Sequence, residues 1–176
     1  MTQGTPEPTD PHGPTSPHGP TAGATAEAGA AGAFEPATGQ GPLPDRRAGE
    51  VRTAYEGLLQ IRRLVNAGAS ETVPAPWEAV RMPRAVALAL EAAGLPPSAV
   101  DAAGRRTATG YVVGPGEEPG RVRVTWAGPP GGGAAAAEQE RLTACSEVLS
   151  RLGWECLLYR GARGRRFLEV EPPRRP

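Results

Sequence analysis

Cys145 and Cys156 are the side chains best equipped for nucleophilic chemistry, and the foldable part of the chain has no imidazole to activate either. The only two histidines, His12 and His18, lie in a leader built mostly from proline, glycine, alanine and threonine. A thiol without a neighbouring base stays protonated at neutral pH, and both cysteines fall on the apolar stripe of an expected element, so we expect buried, inert thiols. Their spacing fits neither a disulfide framework nor paired metal ligands, so no metal is expected and a reducing, cytoplasmic setting is. The repeat Pro11-His-Gly-Pro-Thr15, Pro17-His-Gly-Pro-Thr21 reads as extended linker.

Gly131-Gly-Gly133-Ala-Ala-Ala136 formally satisfies a dinucleotide fingerprint, G-x-G-x-x-A. That fingerprint works only between a parallel strand and a helix, whereas hairpins flank it here and Pro129-Pro130 interrupts the turn. No Lys-Ser or Lys-Thr follows the glycines, which excludes a Walker-type phosphate loop. Glu117-Glu118 sits at an expected loop tip, and Glu169 and Glu171 share a strand face with arginines; neither setting suits acid/base work. No cofactor and no enzymatic activity are expected.

The cations are more informative. All 19 are arginine, in keeping with GC-rich coding, and none precedes residue 46. Glu7, Asp10, Glu27 and Glu35 make the leader acidic, leaving the body mildly basic. Residues 1–45 lack the apolar side chains to offset the entropy of ordering, so they are expected to form a disordered tail before a single domain over 46–172, with a basic end at 173–176. No segment is apolar and long enough to suggest a membrane span.

Apolar spacing supplies the elements. Val51, Ala54, Leu58, Ile61 and Val65 recur at helical intervals over Glu50–Ala67, ending at Asn66-Ala67-Gly68, with Arg62 and Arg63 expected in solvent. Pro74 and Pro76 before Trp77 suggest a loop anchored by one ring. A second helix runs from Pro83 to Ala93, followed by a short turn that Ser98 caps through Ala103. The period then changes to two: strands over Tyr111–Val113 and Arg121–Trp126 make one hairpin, and Glu155–Arg160 and Arg166–Glu171 another, with a helix over Ala134–Leu152 between them. The expectation is an α+β fold: a disordered leader, two N-terminal helices, then a ββαββ unit whose four-stranded sheet is covered on one face by a helix.

That parity defines the candidate site. If Val122, Val124, Trp126, Cys156, Leu158, Leu168 and Val170 face the helix, then Arg121, Arg123, Tyr159, Arg165 and Phe167 face away, together with Leu157 and Tyr111. Guanidinium groups among aromatic rings suit a protein contact or homodimer, and also suit phosphates and unstacked bases. The N-terminal helices covering this face would remove the site altogether. Arg160, Arg163, Arg166, Arg174 and Arg175 form a second basic cluster for phosphate or an acidic partner, or simply a soluble edge. A winged-helix arrangement over 83–126 is a lesser reading, with Glu117 and Glu118 opposing phosphate at the wing tip. The expected function is a non-catalytic cytoplasmic binding or adaptor module acting through protein contact, with nucleic-acid binding as the alternative.

Overall fold

The computed structural model describes residues 34–66 and 71–174, an α+β assembly of four α-helices, a four-stranded antiparallel sheet and a two-stranded sheet. In chain order the elements are α1 (Ala48–Val65), α2 (Pro76–Val80), α3 (Met82–Ala92), β1 (Ala99–Val100), β2 (Arg106–Ala108), β3 (Gly110–Pro115), β4 (Val122–Ala127), α4 (Ala134–Arg151), β5 (Glu155–Arg160) and β6 (Arg166–Glu171). The histidine repeat and the rest of residues 1–33 lie outside the described residues, as do Arg175 and residues 67–70.

The large sheet has the order β3-β4-β6-β5, with every neighbour antiparallel. Val122, Val124, Trp126, Leu168 and Val170 are buried on one face, as strict alternation requires. Two helices cover that face instead of one: α3 lies over β3 and β4, and α4 over β4, β6 and β5. Seven of the eleven residues of α3 are buried, because α1 packs on its other side. An alanine- and leucine-rich helix with no wide polar face has only such a central position open to it.

Four expectations are corrected. Pro76-Trp77 is not loop but the first turn of α2, since proline is tolerated where its missing N–H has no helical partner. The segment after Ser98 is not a capped turn but strand β1, paired with β2, and this removes the second helix a winged-helix fold needs. Ser98 Oγ instead donates to Ala108 O at 2.8 Å and accepts from Arg106 at 2.8 Å.

The boundary at residue 45 also moves, because Phe34–Pro44 is an ordered strap. Ala37 N–H donates to Glu91 at 2.9 Å, Val113 N–H to Thr38 O at 2.8 Å, and Val100 N–H to Gly41 O at 2.9 Å. Gly39 carries the close passage: its φ is +77°, and a Cβ there would collide with Tyr111 O. Backbone hydrogen bonds, the Arg84–Glu35 pair and the Arg47 guanidinium, which donates to Glu35 O at 2.6 Å and lies 4.7 Å over the Phe34 ring, supply what the strap lacks in apolar side chains. Finally, Arg62 is not solvated. It is 1% exposed and grips Glu78 of α2 through two hydrogen bonds of 2.7 and 2.6 Å.

Candidate protein-contact edge of the sheet

The two edges of the sheet are treated differently. In an antiparallel pair, successive residues turn their N–H and C=O alternately toward the partner strand and away from it. On β3 the outward-turned residues are Tyr111 and Val113, and each is satisfied. Tyr111 N–H donates to Pro96 O at 3.0 Å, and its C=O accepts from Ser98 N–H at 2.9 Å. Val113 is bonded by Thr38 O and by Gln40 Nε2, the latter at 2.6 Å. That edge is closed by the strap and by the segment before β1.

The β5 edge is open among the described residues. Gly161 N–H donates to Arg165 O at 2.7 Å, which sets the alternation. Leu157 and Tyr159 turn their backbone groups to β6, while Cys156, Leu158 and Arg160 turn theirs outward. The side chains there are apolar: Leu157, Leu158 and Tyr159 are 46, 43 and 41% exposed. Leu158 stands opposite buried Leu168, so it has the expected face but not the expected burial. It lies on the outermost strand, on the rim of the covering helix.

On the outer face, no described helix covers the strands, because α3 and α4 lie on the other side and α1 and α2 pack on α3. Phe167 and Tyr159 stack with centroids 5.5 Å apart, and the Arg123 guanidinium lies 4.0 Å over Phe167. Of the expected face residues, Arg123, Phe167 and Tyr159 therefore come together. Arg121 lies beside them, held by Glu169 at 2.6 Å, Glu171 at 3.0 Å and Glu118 at 3.1 Å, while Arg123 also pairs with Glu117 at 2.7 Å. The loop-tip acids are thus engaged, and they turn the face from basic to neutral or acidic.

Arg165 and Tyr111 do not belong to it. Arg165 reaches to the helix side, donating to Glu138 of α4 at 2.7 Å and to Trp126 O at 3.1 Å, because it precedes β6 and escapes its alternation. Tyr111 is fully buried opposite Trp126. In the second cluster, Arg174 pairs with Glu155 and Glu171, both at 3.7 Å. Arg160, Arg163 and Arg166 share the β5–β6 hairpin and make no ion pair among the described residues, with Arg163 in the left-handed region at φ 59°.

Chemistry elsewhere is muted. Burial pushes the Cys145 thiol up to about 12 and raises Cys156, which Ser150 and Ser146 partly offset. Among the described residues, no cluster of three or more His, Cys, Asp or Glu side chains could hold a metal, and no helix is long and apolar enough to cross a membrane. A groove of about 540 Å³ lies between the strap and α1, but its Arg47 and Glu91 are paired with each other at 2.9 Å. Compared with protein-family models, curated proteins and solved structures, the chain matches none. The α+β fold, with one sheet edge closed and the other open among the described residues, is therefore what defines it.

Proposed function

We propose that the protein is a non-catalytic binding module in a reducing, cytoplasmic setting, and that it acts by docking a protein partner on the β5 edge and the adjoining aromatic end of the outer face. The observation that carries this reading is three consecutive exposed apolar side chains, Leu157, Leu158 and Tyr159, on a strand whose outward backbone groups have no partner among the described residues. Strand addition takes its affinity from such main-chain groups and its specificity from alternate side chains. Full burial of Cys145 and partial burial of Cys156, which raise both thiol pKa values, support a role without nucleophilic catalysis.

The second reading, nucleic-acid binding, is favoured by Arg160, Arg163 and Arg166, which make no ion pair among the described residues. Against it, Arg121 and Arg123 are already neutralised by carboxylates, which phosphate would have to displace. An electrophoretic shift with single-stranded and duplex oligonucleotides over a salt series separates the two. Protein docking predicts no retardation even at low salt. Retardation that weakens steeply with salt, by about 0.9 logarithmic units per tenfold salt for each phosphate contacted, and that is lost in Arg160→Glu/Arg163→Glu, would establish nucleic acid as the partner instead.

A further inference from the structure

We infer that the partner of the β5 edge is a second copy of this chain, joined antiparallel about a two-fold axis to give a continuous eight-stranded sheet. This deepens the docking reading and rests on it.

Self-complementarity of the strand carries the argument. A two-fold axis perpendicular to the sheet keeps both outer faces on one side, so each residue must oppose a residue of its own parity. Hydrogen-bonded pairs must form between residues with outward backbone groups, which are Cys156, Leu158 and Arg160. Five centres are then available: Cys156, Leu158 and Arg160 on hydrogen-bonded pairs, and Leu157 and Tyr159 between such pairs. Centring on Leu157 sets Arg160 opposite Trp154, whose N–H is already held by Leu149 O at 3.1 Å, and centring on Tyr159 runs Cys156 onto Ala162 in the hairpin turn. Centring on Arg160 sets two guanidiniums face to face and leaves half the strand unpaired. Centring on Cys156 likewise uses only the start of the strand.

Centring on Leu158 engages all of β5: Leu158 opposes its own copy, and Cys156 and Arg160 oppose each other twice. No like charges meet, and three pairs supply six main-chain hydrogen bonds. On the outer face, Leu157 opposes Tyr159 of the second copy, also twice. The Phe167–Tyr159 stack of each copy thereby continues into the leucine of the other, covering the three exposed side chains. On the helix face, the arriving Arg160 lies beside Cys156, whose thiol sits against Ser146 and Ser150 near the C-terminal end of α4. A cation is favoured there by the helix dipole. Six-residue strands that bury few large side chains make a small interface, so the dimer belongs in the micromolar range, at a Kd of about 10 μM.

The test combines sedimentation with cross-linking on the full chain. The wild type is expected to pass from monomer to dimer across that concentration range, and Leu158→Arg, a change at a 43%-exposed position, to weaken association at least tenfold with an unaltered circular dichroism spectrum. Under mild oxidation Leu158→Cys should form a disulfide dimer through its own copy. Wild type, whose Cys156 faces Arg160, should not, nor should the control Val80→Cys, at a position 84% exposed at the end of α2 and outside β5. Wild-type cross-linking through Cys156 overturns the register, and a monomer at every concentration overturns the second copy. The monomer result leaves a different protein at this edge intact, whereas oligonucleotide retardation would remove the docking reading itself.

Discussion

Arg62 and Glu78 form a doubly hydrogen-bonded ion pair that is sealed from solvent, with side chains 1 and 0% exposed. Arg62 also donates to Glu71 O and Leu152 O, both at 2.7 Å, and its guanidinium lies 6.0 Å over the Trp154 ring. One side chain thereby ties α1 to α2, to the loop between them and to the C-terminal end of α4. Glu78 is held in turn by Ala75 N–H at 2.9 Å. Breaking such a pair from one side strands a buried charge. Glu78→Gln and Arg62→Met should each lower unfolding free energy by about 3–5 kcal/mol, and Arg62→Met/Glu78→Leu should recover much of that loss. Urea unfolding of the three variants checks this; additive losses in the double variant would count against a coupled pair.

Alkali should unfold the protein earlier than its composition suggests. Burial holds the Cys145 thiol at about 12 against an ordinary 9.0 and pushes the Tyr111 phenol well above its usual range. Both pKa values are raised on folding, so the folded state retains protons that the unfolded chain releases. Their contribution is complete below about pH 9 and is lost as pH rises toward 12. Chemical denaturation from pH 7 to 11 should show stability falling above pH 9, less steeply in Cys145→Ala after allowance for its own destabilisation.

The strap should behave as part of the domain. Of two shortened chains, one beginning at Phe34 and one at Arg46, only the second loses the bonds to Val113, Val100 and Glu91. It should melt at clearly lower temperature, and its β3 edge should become a new site of association. Gly39→Val in the full chain should cost about 2 kcal/mol or more, because it combines a left-handed φ with a collision at Tyr111 O.

Periodicity made the regular part of the fold legible. The alternation of Val122, Val124 and Trp126 and the stripe of Leu142, Cys145 and Leu149 indicated the buried faces, since burial on one side leaves a period in the sequence. What it could not show was long-range pairing. Arg62 looked like one more cation near a helix end, and only the fold brings Glu78, Glu71 O and Leu152 O around it. The strap was hidden for a related reason. Its attachment is by backbone groups, which leave almost no compositional trace beyond Phe34, Gly39 and Gln40. In the candidate site, the Arg123–Phe167–Tyr159 cluster follows from parity, but the glutamates that neutralise it come from a loop and a neighbouring strand. The openness of β5 depends on strand order, which two hairpins do not specify; the sheet could equally have been closed on that side.

Neutralised arginines also bear on ionic strength. If Arg121 and Arg123 serve the sheet through Glu169 and Phe167, Arg123→Gln should cost about 1 kcal/mol in stability through the lost ring contact and ion pair. Denaturation at low and high salt measures it, and a variant as stable as wild type would show the stack to be incidental.

Amide hydrogen exchange along β5 as protein concentration is raised tests the docking edge most directly. The N–H groups of Cys156, Leu158 and Arg160 should exchange quickly in dilute protein and gain protection together on association, while Leu157 and Tyr159, already bonded to β6, change little. Protection that stays constant at all five amides, or that rises on β3 instead, would contradict the assignment of β5 as the contact strand.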